Sequence, residues 1–248
     1  MRDCKSALLS RLLALTLLHG FFIGAVAAGP LAQAHPDLAK VDISAYPWSS
    51  IAKLNNSIGG SCTAAVIDQD KVLTAAHCTF NRRTGRFLTS KSLHVLLGYE
   101  GGHYAVHALV GSYTLGPGYD PASELATASS DWAILKLVAP LPNQVRPLKL
   151  IDRLPAPGSQ LLIGSYSQKR LHVMTADRNC QLVQTLAPSA LLVHNCEVAR
   201  GSSGAPLLFM GREGIVIIGI QVAVGQSNGA EIMLAVSAPS IGNMLAQQ

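Results

Sequence analysis

The chain has 248 residues, 49% hydrophobic and 13% charged, with a formal net charge of +5. That length supplies a core for one large domain or two small ones. Residues 1–34 hold Arg2, Lys5 and Arg11 against Asp3, leaving 16 basic and 13 acidic residues, or +3, beyond them. With so modest a charge and no basic–aromatic interleaving, nucleic acid is not expected as a partner.

The first 34 residues read as an export signal. A basic start precedes an apolar stretch from Leu12 to Val26, and Ala32-Gln33-Ala34 before His35 has the A-x-A form of a peptidase site. Ala25-Val26-Ala27 is a second such site, and a membrane anchor is the rival reading because the apolar run is long. Cleavage removes Cys4 and leaves Cys62, Cys78, Cys180 and Cys196. An even number in an exported chain suggests two disulfides, and no C-x-x-C spacing recommends a metal instead.

Alternating or continuous apolar runs predict strands at 50–54, 62–67 and 71–74, with a turn at Asp68-Gln69-Asp70. Further strands are expected at 93–97 and 104–110. His103 and His107, four apart, invite a metal reading, but without a third ligand at a telling spacing they read as exposed strand histidines. Asp131 opens the apolar run Trp132-Ala133-Ile134-Leu135, where a partly buried carboxylate needs hydrogen-bond donors. Asp120 and Asp152 sit in loops, where a turn role suffices. The proline-rich stretch from Leu141 to Gly158 marks the boundary between two halves. Strands follow at 160–166, 172–175, 181–185, 191–195, 205–209, 215–224 and 231–236, with a short helix at 239–247. No long segment of helical period occurs, so the fold is all-β.

In Gly201-Ser202-Ser203-Gly204-Ala205-Pro206 a serine lies in a glycine-flanked loop, where a hydroxyl can stand beside free backbone N–H groups. Alone that is an ordinary turn. However, Ser61-Cys62-Thr63-Ala64-Ala65-Val66-Ile67 followed by Val72-Leu73-Thr74-Ala75-Ala76-His77-Cys78 resembles the histidine region of trypsin-like serine proteases. The G-S-S-G-A-P string resembles bacterial glutamyl-endopeptidase-like and related secreted members more closely than the digestive ones. In that family two cysteines sixteen apart staple the histidine loop, which implies a Cys62–Cys78 disulfide. Cys180 and Cys196 are then expected to bridge in the second half.

The order His77, Asp131, Ser203 is that of the chymotrypsin arrangement, and not that of α/β-hydrolases or subtilisins. Ala205 also stands where the hydrolase elbow wants glycine. The resemblance implies two six-stranded antiparallel β-barrels with the active site in the cleft between them. Residues 35–150 would form the first, with His77 and Asp131, and 151–248 the second, with Ser203. It further implies a secreted or periplasmic serine endopeptidase, monomeric, without cofactor or metal, off the membrane once the signal is cleaved, and acting on proteins or peptides. Ser203 would be the nucleophile, His77 the general base and acid, and Asp131 its orienting partner, with the N–H groups of Gly201 and Ser203 as the oxyanion hole. Other readings are an inactive binding module on the same fold and a serine esterase.

Ser202 departs from the digestive members of the family, which have an aspartate there that pairs with a new N-terminus. The oxyanion loop is therefore expected to form without that ion pair. Substrate-binding positions fall on Glu197, whose acidic floor would favour Lys or Arg, and on Gln221 and Val222. Where trypsin has a serine near the buried aspartate, this chain has Val222 or a neighbour.

Overall fold

The computed structural model describes residues 38–246 except 171, 188, 189, 213, 228 and 229, so the expected export signal lies outside the described residues. Among the described residues, sixteen strands and one α-helix follow in order. They are β1 Ala39–Lys40, β2 Ile51–Asn56, β3 Ser61–Asp68, β4 Lys71–Thr74, β5 Phe80–Asn81, β6 Arg86–Phe87, β7 Leu93–Leu97, β8 Val106–Leu115 and β9 Ala133–Leu137. Then come β10 Lys149–Leu150, β11 Gln160–Ser165, β12 Thr175–Leu186, β13 Leu191–His194, β14 Pro206–Gly211, β15 Gly214–Ser227, β16 Ala230–Ser237 and α1 Ala238–Leu245.

Six strands close the first barrel in the order β2-β3-β4-β9-β8-β7, with β7 pairing back onto β2. Local chemistry sets its turns. Between β3 and β4 the Asp68 carboxylate accepts the Gln69 N–H at 2.8 Å and an ion pair from Lys71 at 3.2 Å. The second barrel runs β12-β11-β14-β15-β16-β13, and β13 pairs back onto β12. β1 adds to β12, β10 lies parallel to β15, and β5–β6 is a separate hairpin. Closure removes the exposed edges that make open sheets prone to aggregate. This is the expected all-β, two-barrel fold with a short terminal helix, whose start Ser237 caps by accepting the Ser240 N–H.

Strand periodicity explains how the barrels join. Successive side chains face opposite sides, so one strand can serve two cores. On β3, Ala64 and Val66 belong to the first barrel's interior, whereas Ala65 points into a separate apolar seam. The seam draws Trp48, Ile51 and Leu96 from the first half and Tyr166, Leu208 and Ile217 from the second. A third cluster, with Leu161, Cys180, Leu182, Leu207 and Ile218, fills the second barrel.

Two local expectations change. One twelve-residue strand, β12, replaces the pair expected at 172–175 and 181–185. The polar triplet Asp177-Arg178-Asn179 lies between the two expected strands, and the Asp177 carboxylate, 1% exposed, accepts the Asn179 and Glu197 N–H groups, each at 2.9 Å. Its polarity is satisfied inside the sheet. His107 is exposed on β8, as expected, and its Nε2 faces His94 Nδ1 across strands at 2.9 Å. His103, by contrast, lies outside the strands and makes a backbone bridge with Glu100.

Candidate active site

His77 sits in a single turn of 3₁₀ helix, Ala76–Thr79, directly after β4. The Thr79 hydroxyl donates to the Ala76 carbonyl at 2.8 Å, and Cys78 is bonded to Cys62 on β3, as expected. The loop carrying the imidazole is thus held at both ends. Asp131 enters from a 3₁₀ turn at Ala128–Ser130, just ahead of β9. Its Oδ1 accepts the His77 backbone N–H at 2.9 Å and its Oδ2 faces His77 Nδ1 at 2.7 Å. A carboxylate on Nδ1 places the ring proton there, which leaves Nε2 as an acceptor. Asp131 is buried, and Val222 brings no hydroxyl to it. His77 itself supplies a donor to each carboxylate oxygen.

Ser203 arrives from the second barrel, in the loop between β13 and β14. Two glycines shape that loop. Gly201 has φ +98°, and a Cβ there would meet the Tyr166 carbonyl at 2.5 Å. Gly204 has φ +77°, and a Cβ would lie 2.3 Å from both the Thr63 carbonyl and the Thr74 hydroxyl. Only glycine tolerates both the angle and the approach. Ser202 is 1% exposed, and its hydroxyl pairs with that of Ser165 at 2.8 Å and accepts the Ala199 N–H at 3.2 Å.

Thr63, on β3 of the first barrel, reaches across to this loop. Its N–H donates to the Ser203 carbonyl at 2.9 Å, and its hydroxyl donates to the Gly201 carbonyl at 2.9 Å. The same hydroxyl accepts the Tyr166 N–H at 3.0 Å.

His77, Asp131 and Ser203 line one cavity of about 320 Å³, with Val222, Ala223 and Val224 as one wall. Arg82, paired with Glu124 at 2.6 Å, and exposed Leu125 also line it. Burial, and then the charges of Asp131 and Glu124, raise the Tyr119 phenol well above its ordinary pKa and keep it protonated. A larger hollow of about 480 Å³, lined by Ile43, Leu97 and Val145 among others, has no titratable side chain in its wall and lies apart from this chemistry.

The structure brings the three predicted catalytic residues together, and Val222 with them. Gln221 is turned away, with its side chain bonded to His194 and Ala223. Glu197 is partly buried, its N–H on Asp177, and it does not line this cavity. Cys180 and Cys196 are bridged. Ligand atoms of Cys62, Cys78 and His77 cluster closely, but the two sulfurs are bonded to each other and offer no thiolate. Thr63, Ser165 and His194 escaped sequence reasoning, because their partners lie far off along the chain.

The sequence profile of the family described as Trypsin matches residues 39–241. A trypsin from Sarcophaga bullata is 28% identical over 133 residues, 51% of this chain and 47% of that protein. The chain thus matches about half the length of this curated relative. The structure of a Glu endopeptidase in complex with MPD superposes with a TM-score of 0.71 at 20% identity, covering 86% of this chain and 97% of the other. At that identity the likeness shows the fold. With the profile spanning most of its length, the chain belongs to the trypsin family of serine proteases.

Proposed function

We propose that the chain is an exported serine endopeptidase that cleaves protein or peptide substrates through an acyl-enzyme. The observation that carries this is the Asp131–His77 pair sharing one cavity with Ser203, whose loop has two glycines that admit no side chain. In this reading residues 1–34 are the signal, 35–150 carry the histidine and aspartate, and 151–248 carry the nucleophile. The mature chain is a secreted or periplasmic monomer, off the membrane.

Ser203 Oγ bonds to the scissile carbonyl carbon as its proton passes to His77 Nε2. The C–N bond then breaks, and His77 returns that proton to the leaving amine. Water, deprotonated by His77, releases the acid and restores Ser203. Asp131 holds the ring and stabilises its transient charge. The N–H groups of Gly201 and Ser203 receive the oxyanion, a donor set whose members are each worth about a hundred- to a thousand-fold in turnover. Val222 forms part of the wall for the substrate.

The loop needs no zymogen ion pair. Ser202 cannot make one, and its hydroxyl bond to Ser165 supports a loop already formed in the signal-cleaved chain. Incubating the chain that begins at His35 with a serine-directed phosphonate tests both statements. Covalent labelling without prior trimming, lost in Ser203→Ala, is the expected result. Undiminished labelling of Ser203→Ala would sink the nucleophile assignment. Labelling only after trimming would sink the second statement. Reaction with esters but no peptide would move the assignment to an esterase, and inertness to all of them to a binding module.

A further inference from the structure

Behind the Val222–Val224 wall runs a chain of hydrogen bonds for which the chemistry at Ser203 has no use. His194, the last residue of β13, is 2% exposed. Its Nδ1 accepts the Cys196 N–H at 3.2 Å, which puts the ring proton on Nε2. That proton points at Gln221 Oε1, 2.6 Å away. Gln221, 3% exposed, in turn donates its amide N–H to the Ala223 carbonyl at 2.8 Å. Burial brings the His194 pKa to about 4 and keeps the ring neutral at ordinary pH, as this pattern requires. Cys196 is tied to Cys180 on β12. The relay therefore runs from a covalent staple to a main-chain carbonyl of the cleft wall.

Its far end meets a weak point. The pairing of β15 with β16 slips between Gln221 and Ala223, leaving Val222 without a partner. A bulge of this kind interrupts the ladder and bends the strand, so its geometry needs another restraint. The Gln221 side chain provides one across the bulge. Backbone carbonyls alternate in direction along a regular strand, so beyond the bulge, holding that of Ala223 toward Gln221 turns that of Val224 toward the opposite edge. The Gln221 main chain meanwhile joins the nucleophile loop, donating to Ala205 O at 2.9 Å and accepting from Gly204 N at 2.7 Å.

We infer that His194 and Gln221 are positioning residues, which hold Val222–Val224 as the strand against which an extended peptide substrate lies. They set the affinity for longer peptides and leave the acylation chemistry unchanged. The inference rests on the endopeptidase reading, and the test separates the two.

Gln221→Leu keeps the volume and removes both side-chain bonds. Gln221→Glu can pair with a protonated His194 but cannot donate to Ala223. Both variants are compared with the wild-type chain, using a tetrapeptide amide substrate and a single-residue phosphonate that does not reach the strand. A rise of about tenfold in the tetrapeptide KM, with phosphonate labelling within twofold of wild type, is expected. A KM within twofold in a folded variant, or an equal fall in labelling, overturns the inference. Wild-type chain that reacts with neither probe would instead remove the endopeptidase reading. Should neither variant fold, the His194 Nε2–H resonance of the wild-type chain decides the matter. It is expected to shift when a tetrapeptide aldehyde binds and to stay in place with the phosphonate; a resonance unmoved by the aldehyde overturns the inference.

Discussion

Each barrel closes on six strands and carries one disulfide across sixteen residues, yet the two bridges meet the site in different ways. In the first barrel the bridge ends at Cys78, next to His77, so the imidazole loop is held covalently within its own barrel. In the second, Cys196 starts the relay through His194 toward the cleft wall. The nucleophile loop hangs instead on hydrogen bonds, two of them from Thr63 of the other barrel. One half of the chemistry is thus stapled locally and the other half is held across the seam. A covalent staple tolerates the loss of a neighbour, whereas a hydrogen-bonded loop depends on the docking that supplies its partners.

Removing the two bridges separately probes this contrast most strongly. Cys62→Ala/Cys78→Ala and Cys180→Ala/Cys196→Ala are each expected to lower unfolding stability by about 3 kcal/mol, the loop-entropy value for this spacing. Their effects on reactivity should differ. Loss of the first should slow phosphonate labelling at least tenfold, while loss of the second should leave labelling near wild type and raise the KM for tetrapeptides. Equal effects on labelling would erase the distinction.

Acid sharpens the second half of the comparison. The folded pKa of His194, about 4, lies below its ordinary 6.5, so the unfolded chain takes up the proton first as the pH falls. The stabilisation from keeping the ring neutral is complete above pH 6.5 and is lost as the pH drops toward about 4. It amounts to roughly 3 kcal/mol in all. The hydrogen bond to Gln221, and then the charge of Asp177, oppose the depression, and the value of about 4 already includes both. Denaturant midpoints at pH 7, 5.5 and 4 should fall more steeply for wild type than for His194→Gln. Parallel curves would remove His194 as the cause.

Thr63→Val is the smallest change, one hydroxyl for one methyl. It leaves the Gly201 carbonyl and the Tyr166 N–H without their partner and should cost about 1–3 kcal/mol in thermal unfolding. Thr63→Ser should restore the loss, and labelling of Ser203 should follow stability in both variants. Full labelling of a destabilised Thr63→Val chain would show that the seam does not hold the loop.

The catalytic candidates were legible because each lies in a contiguous string whose residue types constrain one another. His77 is flanked by its cysteine, Asp131 heads an apolar run, and Ser203 lies between glycines. The barrel strands were legible from period and turns, except where a polar side chain was satisfied at a distance. Asp177 falls between two expected strands that are one, and the Glu197 N–H that satisfies it lies twenty residues on. Thr63 looks like any strand threonine, since its partner Gly201 is 138 positions away. His194 hid for the same reason, and Gln221, expected among the substrate-binding positions, is instead tied to it from 27 positions away. Local pattern reveals what local chemistry fixes, and long-range polar satisfaction leaves no such mark.

Thr63 belongs by pairing to the first barrel, yet it completes a loop of the second. A refolding chain in which both barrels have closed but have not yet met has no partner for the Gly201 carbonyl. Serine reactivity, followed in time with the phosphonate, therefore serves as a clock for the last assembly event. Strand formation, followed by circular dichroism, should run ahead of it, and the lag between the two signals measures how long the halves take to find each other.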